Sequence, residues 1–531
     1  MLSRFFIDRP IFATVLSVVI TLIGGISLFY LPMAMYPRIT PPGVSVTINY
    51  PGASAPVVAD TVAAPIEQQV NGVEGMLYMS SQMGNDGSYT LTVTFDIGTD
   101  VNTALVMVQN RVALALPQLP SAVQNQGITI RKKTPDILMI VNLFSPGGRY
   151  DDIYLSNFAT ISSGFAGVWI IGNATVDNTG NIAGGSAGVR FGVGGSGTLT
   201  NAGTITSTGT GGFGVLAQAG GVTVGNLGTI AANGSNGIGV DLTAGDSLTN
   251  GATTDTTATI SGVLDGVFFN AAGTVENFGV ISGNTGVWFT AGATGTVIDA
   301  GSIVSTDGAA GTAVFLRTAD SRLIVDPGAT FVGKVLGGGG ALELAAGSTA
   351  GAIGGIGTAF AQFGTLSVDH AATWTLQGGN AIGTVVDDGT LALAAGATLA
   401  VSAAVDPAST GIFELNAGAL LSIAADTGSA DRIAFLSSAT LDVLHAAQFG
   451  SGVGSSAYAG PVIEGFGPGA TVDLKDIAAA GVTMTYTAAT GLLQIASGAS
   501  KASLLFDTAS LGSGGFHLGN DGTGHLLVTH S

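Results

Sequence analysis

The chain has 531 residues, of which 15 are Lys or Arg and 34 are Asp or Glu, so its formal net charge at pH 7 is −19. The absence of cysteine excludes a disulfide framework and a thiolate metal site. The acidic balance argues against nucleic acid as a partner, because the phosphate backbone would be repelled.

Charge and glycine divide the chain into two parts. Residues 1–161 contain 8 Lys or Arg and 10 Asp or Glu, whereas residues 162–531 contain 7 and 24. Only 12 of the 84 glycines lie in the first part. A chain of even composition would not divide in this way, so the sequence predicts at least two modules.

A long apolar run opens the first module. Ile11–Tyr30 contains no charged residue, and an α-helix of this length spans a hydrocarbon core of about 30 Å. Two arginines precede the run, and no positive charge follows before Arg38, which places the N-terminus in the cytoplasm. A cleaved signal peptide is the alternative, but Leu31–Met35 is a poor match to the small-x-small pattern of a cleavage site. We predict an uncleaved membrane anchor over residues 1–38.

The next segment, residues 39–134, predicts a small α/β domain. Apolar residues alternate with polar ones in the predicted strands and recur at helical spacing in the predicted helices. The order β-α-β-β-α-β is the ferredoxin-like arrangement, with both helices on one face of the sheet. The predicted elements are strand Val44–Tyr50, a helix from the N-cap Ser54 to Val70, strands Met76–Met83 and Tyr89–Phe95 around the turn Asn85-Asp86-Gly87, a helix from the N-cap Asp100 to Leu116, and strand Gly127–Arg131.

Several motifs of this module are similar to those of one transporter family. FFIDRPIF, LPMAMYP, YPGASAPVVADTVAAPIEQQVNG, FDIGTD and VQNRVALALPQLP closely resemble the resistance-nodulation-division (RND) family, in its hydrophobe/amphiphile exporter branch. This family provides the inner-membrane subunits of tripartite drug-efflux pumps. The resemblance covers residues 5–161, and it implies that residues 39–134 form the first porter subdomain and that residues 135–161 begin the second, truncated one.

The same resemblance implies a location, partners and a candidate site. The chain would lie in the bacterial inner membrane, with its N-terminus cytoplasmic and most of its length periplasmic. Its partners would be inner-membrane lipid and either further copies of itself in a homotrimer or other pump subunits. The strand that enters the second porter subdomain lines the substrate pocket in the family, which by position implies Thr129, Arg131, Ile137 and Ile140. For Ile137 and Ile140 a role in an ordinary core strand is the alternative. A typical relative has an aromatic residue at one of these places, where this chain has Ile137.

The family also exports its substrates with proton energy, through an acidic pair and a lysine in later membrane helices. Buried carboxylates suit this task because their charge is costly inside a membrane. The predicted span has no titratable residue, and the sequence departs from the family near Ser162. We therefore predict a fusion whose N-terminus is a truncated RND-type permease that does not pump alone.

The second module, residues 162–531, begins with a repeat. The motif Asn-x-Gly-x-Ile recurs at intervals of 23, 25, 51 and 22 residues, with a Gly-Val pair between copies. Such spacing predicts an all-β parallel β-helix or β-solenoid, with inward Ile and Val, stacked asparagines and glycines at positive-φ corners. The repeat positions are Asn178, Asn201, Asn226, Asn277 and the relaxed copy Asp299, with Gly188, Gly214, Gly239, Gly266 and Gly286 in the second motif.

The repeat changes near Ser321 and remains β-rich. Segments such as GTLALAAGATLAVSAAV resemble the passenger repeats of bacterial autotransporters and filamentous-haemagglutinin-like surface proteins, over residues 170–531. This resemblance implies an adhesin or scaffold with a surface glycan or matrix protein as partner. We predict solenoid repeats over residues 162–320, a second repeat type over 321–500 and a C-terminal cap over 501–531.

The sequence contains few candidates for chemistry, and we predict no enzyme, no cofactor and no metal site. Asp387 and Asp388 are adjacent, so on a strand they would point to opposite faces rather than act as an acid/base pair. The spacing of His517, His525 and His530 matches no zinc pattern. Sugar stacking is one interpretation of the tryptophans, and burial in the core or at a coil edge is the favoured one; they are Trp169, Trp288 and Trp374.

Overall fold

The computed structural model describes residues 41–133 and 153–531 except 219, 244 and 429, together with Thr14, Val15, Val18, Val19 and Thr21. Thr14, Val15, Val18, Val19 and Thr21 have helical backbone. Among the described residues, no helix combines the length and the hydropathy of a membrane span. The predicted anchor lies almost wholly outside the described residues. The chain forms two compact units, Met1–Asp136 and Ile137–Ser531.

The first unit is a four-stranded antiparallel sheet with helices on one face. Its strands lie in the order β2-β3-β1-β4, which is the split βαβ arrangement that the sequence predicts. A π-helical turn, Ala59–Ala63, joins the first two helices, and a 3₁₀ turn covers Leu116–Gln118. The elements are β1 (Gly43–Asn49), α1 (Ala55–Val58), α2 (Ala64–Val70), β2 (Met76–Met83), β3 (Ser88–Phe95), α3 (Val101–Ala115), α4 (Ser121–Gln126) and β4 (Thr129–Lys133).

Both predicted N-cap residues are observed, and one of them caps its helix with its side chain. The Asp100 carboxylate accepts a hydrogen bond from the Asn102 amide at 3.1 Å, which confirms the cap of α3. Ser54 precedes α1, but its side chain makes no capping hydrogen bond. The Asn85 side chain, from the β2–β3 turn, accepts from the Ala55 amide at 3.2 Å instead. Ser54 is therefore the N-cap residue of α1, as the sequence predicts, but it caps the helix without a side-chain hydrogen bond.

The second unit is a β-solenoid, which confirms the predicted all-β parallel class. Residues 153–336 form eight coils of three strands each. The strands are β5 (Ile153–Asn157), β6 (Thr160–Ser163), β7 (Ala166–Ile170), β8 (Asn173–Asn178), β9 (Asn181–Gly184), β10 (Ala187–Phe191), β11 (Ser196–Asn201), β12 (Thr204–Ser207), β13 (Phe213–Ala217), β14 (Val222–Asn226), β15 (Thr229–Ala232), β16 (Ile238–Leu242), β17 (Asp246–Asn250), β18 (Thr259–Gly262), β19 (Asp265–Phe269), β20 (Gly273–Asn277), β21 (Val280–Gly283), β22 (Thr285–Phe289), β23 (Gly295–Asp299), β24 (Ser302–Ser305), β25 (Thr312–Phe315), β26 (Arg322–Val325), β27 (Thr330–Val332) and β28 (Lys334–Leu336).

The rest of the solenoid passes to coils of two strands. Short 3₁₀ turns cover Gly308–Ala310 and Ala446–Gln448. The strands are β29 (Ala341–Leu344), β30 (Gly351–Gly354), β31 (Phe360–Ala361), β32 (Thr365–Val368), β33 (Thr373–Gln377), β34 (Gly379–Asp387), β35 (Thr390–Leu393), β36 (Thr398–Val405), β37 (Ile412–Leu415), β38 (Leu420–Ile423), β39 (Arg432–Phe435), β40 (Thr440–Val443), β41 (Val462–Glu464), β42 (Thr471–Ala478), β43 (Val482–Thr487), β44 (Leu492–Ser497), β45 (Ser500–Phe506), β46 (Phe516–Asn520) and β47 (His525–His530).

Strands at equivalent positions pair in register between successive coils. Sheet 1 runs in parallel from β5 to β42, sheet 2 from β6 to β27, and sheet 3 from β7 to β31. Sheet 2 ends at β27, and sheet 4 begins at β30, so the solenoid changes from three sides to two in this region. At the C-terminal end, the β46–β47 hairpin lies antiparallel to β42 and closes sheet 1.

The solenoid core is a set of stacked apolar columns. Sheet 2 places Ile182, Ile205 and Ile230 on top of one another, and all three are fully buried. In sheet 3 the rings of Phe269 and Phe289 stack at 4.5 Å between centroids. The predicted inward position of the repeat isoleucines is confirmed, and stacking of like residues gives each coil the same packing surface.

The predicted glycine corners with positive φ are observed, but they are not the glycines of the repeat motifs. Glycines with positive φ lie at other turns, between sheet 3 and the next strand of sheet 1, for example Gly172 and Gly221. At Gly203 a Cβ atom would instead overlap the carbonyl oxygen of Gly180 in the preceding coil. Glycine is required here because adjacent coils approach closely, which is a reason that the sequence did not predict.

The solenoid begins earlier than the predicted seam at Ile161–Ser162. β5 pairs in parallel with β8, and β6 pairs with β9. The seam therefore falls inside β6, and residues 153–161, which the sequence assigned to the second porter subdomain, form part of the first coil. Hydrogen bonding to the next coil determines this placement. The sequence resemblance of residues 153–161 to the transporter family does not reveal it. The strand that would enter the second porter subdomain, with Ile137 and Ile140, lies outside the described residues.

Candidate functional site

Two of the four pocket residues implied by the resemblance lie on the edge strand β4. Thr129 and Arg131 are exposed, whereas Ile130 between them packs against the core under the helices. Alternation along the strand therefore places Thr129 and Arg131 together on the sheet face away from the helices. Ile137 and Ile140 lie outside the described residues, so the substrate pocket stays a prediction.

A ladder of side-chain hydrogen bonds follows the repeat along sheet 1. Each asparagine donates through Nδ2 to the side-chain oxygen of the next coil, at 2.7–2.8 Å. Each Nδ2 also donates to backbone carbonyls at the adjacent turn, as Asn201 does to Gly203 and Thr229. The predicted ladder is confirmed; its members, all buried, are Asn157, Asn178, Asn201, Asn226, Asn250, Asn277 and Asp299.

The sequence missed two of these rungs for different reasons. At Asn250 the Gly-x-Ile part of the motif is displaced, because an insertion separates β17 from β18. The interval of 51 residues, about twice the normal one, was the available signal. At Asn157 the motif has Ala159 instead of glycine and lies before the predicted seam.

Asp299 ends the ladder. Its Oδ1 accepts from Asn277, and Oδ2 has no hydrogen-bond partner among the described residues. Burial raises the pKa of Asp299 to about 7. Its in-register neighbour in the next coil is Val325, which offers no donor to continue the chain of amides. The ladder is thus a structural device of the three-sided coils.

Sheet 3 carries aromatic side chains on its outer face. The ring of Trp288 lies 5.5 Å from Phe268 and 6.3 Å from Phe315 between centroids, and all three are half-buried. The Arg317 guanidinium lies 4.9 Å from the Phe315 centroid. We call Phe268, Trp288, Phe315 and Arg317 the aromatic row. The three rings lie one coil apart and present apolar faces, and Arg317 adds one cation beside the last ring.

The other two tryptophans lie in different environments. Trp169 is 53% exposed on the first coil, with the Arg190 guanidinium 5.0 Å from its ring centroid. Trp374 is 1% exposed, and its Nε1 donates to the Ala345 carbonyl at 2.8 Å. The favoured prediction of a core position holds for Trp374, whereas the solenoid turns Trp169 and Trp288 outward.

The adjacent carboxylates Asp387 and Asp388 are separated by the sheet. Asp387 is fully buried, and burial raises its pKa to about 8. Asp388 is half-buried and accepts from the Thr410 amide at 3.2 Å. The two groups face opposite sides, as the sequence predicts, and do not form a pair in one cleft.

Two more carboxylates are buried in the same part of the solenoid. Asp426 and Asp431 are fully buried, and the Asp426 carboxylate accepts a hydrogen bond from the Gly428 amide at 3.1 Å. Burial raises both pKa values, and the negative charge of Asp426 adds to the effect at Asp431. These groups are closed to solvent, so they affect pH-dependent stability rather than offer a surface site.

The three histidines that lie near one another in sequence do not form one group in the structure. His530 is buried against the ring of Phe516, and His517 is exposed on β46. His525 instead lies with Asp473 and Asp521, and one ligand atom from each of these three residues lies within 4.8 Å of the others. Sequence spacing did not reveal this group, because Asp473 comes from β42 and the other two from the terminal hairpin.

Comparison with known proteins concerns the N-terminal part of the chain. Residues 2–174 match the model of the AcrB/AcrD/AcrF family. The chain is 47% identical over 157 residues to the toluene efflux pump membrane transporter TtgB of Pseudomonas putida, which is 30% of this chain and 15% of the relative. It is 48% identical over 154 residues to the multidrug export protein AcrF of Escherichia coli, or 29% and 15%. With the multidrug resistance protein MdtF of Escherichia coli, it shares 44% identity over 172 residues, or 32% and 17%.

The chain thus spans less than a fifth of the length of these relatives. The predicted resemblance to RND transporters is confirmed for this segment, and the N-terminal third of the chain is RND-like.

Proposed function

We propose that the protein is a membrane-tethered fusion, in which the RND-like segment delivers the β-solenoid to the periplasm and does not pump by itself. One observation carries this proposal: the match to the family ends at residue 174, and the described chain has already become a solenoid from Ile153 onward. The solenoid therefore follows where the relatives continue as transporters.

Proton-driven export needs ionisable groups inside a membrane helix. The predicted span Ile11–Tyr30 contains no Asp, Glu, His, Lys or Arg. Among the described residues, the fully buried carboxylates lie in the solenoid, for example Asp299 and Asp387. The relatives suggest pump subunits and a trimer as partners. Such partners would therefore bind only the RND-like tether.

Drug susceptibility tests the absence of pumping. The full chain is expressed in a host without efflux pumps, beside an intact RND transporter as positive control. Minimum inhibitory concentrations of dyes and antibiotics should equal those of the empty vector. Restored resistance in cells that carry only this chain would overturn the proposal.

Two further measurements test the fusion and its topology. The tryptic peptide over residues 150–190 crosses the seam, because no Lys or Arg lies between Arg149 and Arg190. Its detection by mass spectrometry in membrane fractions is expected for one continuous polypeptide. Alkaline phosphatase fused after Ser531 should be active in the periplasm, and activity of a cytosolic reporter at that position would contradict the tether.

A second candidate function, glycan binding by the solenoid, rests on the aromatic row. Aromatic rings stack on the apolar faces of sugars, and a surface that repeats with each coil suits a polymer of repeating units. The similarity of residues 170–531 to passenger repeats of surface proteins favours the same role.

Affinity for polysaccharides tests this candidate. Trp288→Ala should weaken binding of the full chain to an immobilised glycan at least fivefold, because it removes the central ring. Phe158→Ala is the matched control, since Phe158 is 79% exposed and lies outside the aromatic row. Equal affinities for Trp288→Ala and the unaltered chain would exclude the aromatic row as the binding surface.

A further inference from the structure

The C-terminal hairpin brings three metal-binding side chains together at the end of the solenoid. We propose that Asp473, Asp521 and His525 bind one divalent transition-metal ion of the zinc class. Nothing in the N-terminal similarity or in the proposed fusion requires such a site, so the two proposals stand or fall separately.

The strand pairing creates this juxtaposition. β47 runs antiparallel to β42, with Asp473 opposite Leu527 and Ala478 opposite His525. Asp521 lies in the hairpin turn, and its Oδ2 is 3.0 Å from Nδ1 of His525. Ligands of a tetrahedral zinc ion with bonds of about 2.0–2.1 Å are about 3.3 Å apart, so these two atoms need to move little.

Asp473 provides the independent indication of a ligand. Asp473 is 4% exposed, and its Oδ1 is buried without a hydrogen-bond partner among the described residues. A buried carboxylate oxygen without a partner is costly, and native structures normally satisfy it. A bound cation would satisfy this oxygen.

The local charges leave room for a divalent ion. The Lys475 ammonium lies 2.5 Å from Oδ2 of Asp473 and 3.6 Å from Oδ2 of Asp442. Asp442, Asp473 and Asp521 carry three negative charges when ionised, against one positive charge on Lys475. The remaining charge of −2 equals the charge that one divalent cation would neutralise.

The types of ligand atom in this group favour some cations over others. One imidazole nitrogen with two carboxylates suits zinc and its neighbours in the first transition row, whereas calcium prefers six to eight oxygen ligands. The His525 side chain is 40% exposed, which gives an ion a path from solvent and leaves space for a water ligand. Solvent access and two anionic ligands therefore favour reversible binding of zinc.

Titration calorimetry of the metal-stripped full chain in mild detergent tests the site, with zinc chloride and calcium chloride as the probes. We expect one zinc ion per chain and no heat of binding with calcium. His525→Ala and Asp521→Asn should each weaken zinc binding at least tenfold. His517→Ala is the matched control, because His517 is exposed on the same hairpin outside the group, and its affinity should stay unchanged.

The absence of zinc binding, or equal affinities for all four proteins, would overturn the proposal. Tighter binding of calcium than of zinc would overturn it as well. If a variant fails to fold, the unaltered chain with cobalt(II) decides: a tetrahedral site with a histidine ligand gives intense visible absorption that zinc abolishes. A chain that shows no such absorption lacks the site.

Discussion

Removal of one central rung from the asparagine ladder should destabilise the coils around it by several kcal/mol. Asn226 is fully buried, and its Nδ2 donates to the Asn250 side chain at 2.8 Å and to the carbonyls of Gly228 and Thr259 at 3.1 Å each. Its Oδ1 accepts from Asn201 at 2.7 Å. Asn226→Ala removes all of these bonds and leaves buried polar atoms of both neighbouring rungs without a partner.

The magnitude follows from the number of bonds. A net value of about 1 kcal/mol for each hydrogen bond, with part of the 1–3 kcal/mol for an orphaned buried group, gives a loss of about 3–5 kcal/mol. Because coils contact only their neighbours, the loss should remain local. Amide hydrogen exchange is the appropriate assay, since it measures local opening and does not require two-state unfolding of the whole chain.

In peptides that cover residues 196–262, protection factors should fall by roughly two to three orders of magnitude, at 1.4 kcal/mol for each factor of ten. Peptides beyond residue 390 should be unaffected. Asn233→Ala is the control, because Asn233 is exposed in the same coil. If Asn226→Ala and Asn233→Ala reduce protection equally, the ladder contributes nothing and the reasoning fails.

Three more predictions concern the solenoid. Gly228→Ala should destabilise its coil by several kcal/mol, because the new Cβ would overlap the carbonyl oxygen of Gly203. Gly225→Ala should be tolerated, because its Cβ would meet nothing closer than 3.8 Å. Thermal unfolding of both variants checks this. Burial raises the pKa of Asp387 to about 8, whereas the unfolded chain releases that proton near pH 4. The free energy of unfolding should therefore fall as pH rises from 4 to 8, by up to roughly 6 kcal/mol, and stay constant above pH 8. Urea unfolding at pH 5 and pH 8 should show a smaller difference in Asp387→Asn than in the unaltered chain, and an unchanged difference would assign the pH dependence to other groups. Asp299→Asn should likewise reduce the fall in stability between pH 4 and 7, because burial raises the pKa of Asp299 to about 7, and unchanged pH profiles would contradict this.

The fold of the first unit could be predicted largely from local pattern. Alternation and helical periodicity gave the order β-α-β-β-α-β, and the predicted strand Met76–Met83 has the observed bounds. The same local signal placed Asp100 as a cap. It also placed Ser54 as the N-cap of α1, but it could not reveal the Ala55–Asn85 hydrogen bond, because Asn85 comes from another element.

In the solenoid, the sequence by itself determined what repeats. A motif at constant spacing places the same residue at the same point of each coil, so the inward isoleucines and the asparagine ladder follow from the spacing. Only the tertiary structure decided the features that depend on contacts between coils. These are the rung at Asn250, the close approach that requires glycine, and the change from three sheets to two.

The candidate sites divide in the same way. The sequence singled out His525 and Trp288 but supplied no partners for either. Asp473 joins His525 only because the last hairpin turns back along β42, and the aromatic row forms only because its residues fall in register on sheet 3. Register between distant strands depends on the summed hydrogen bonding and packing of whole coils, which no short stretch of sequence contains.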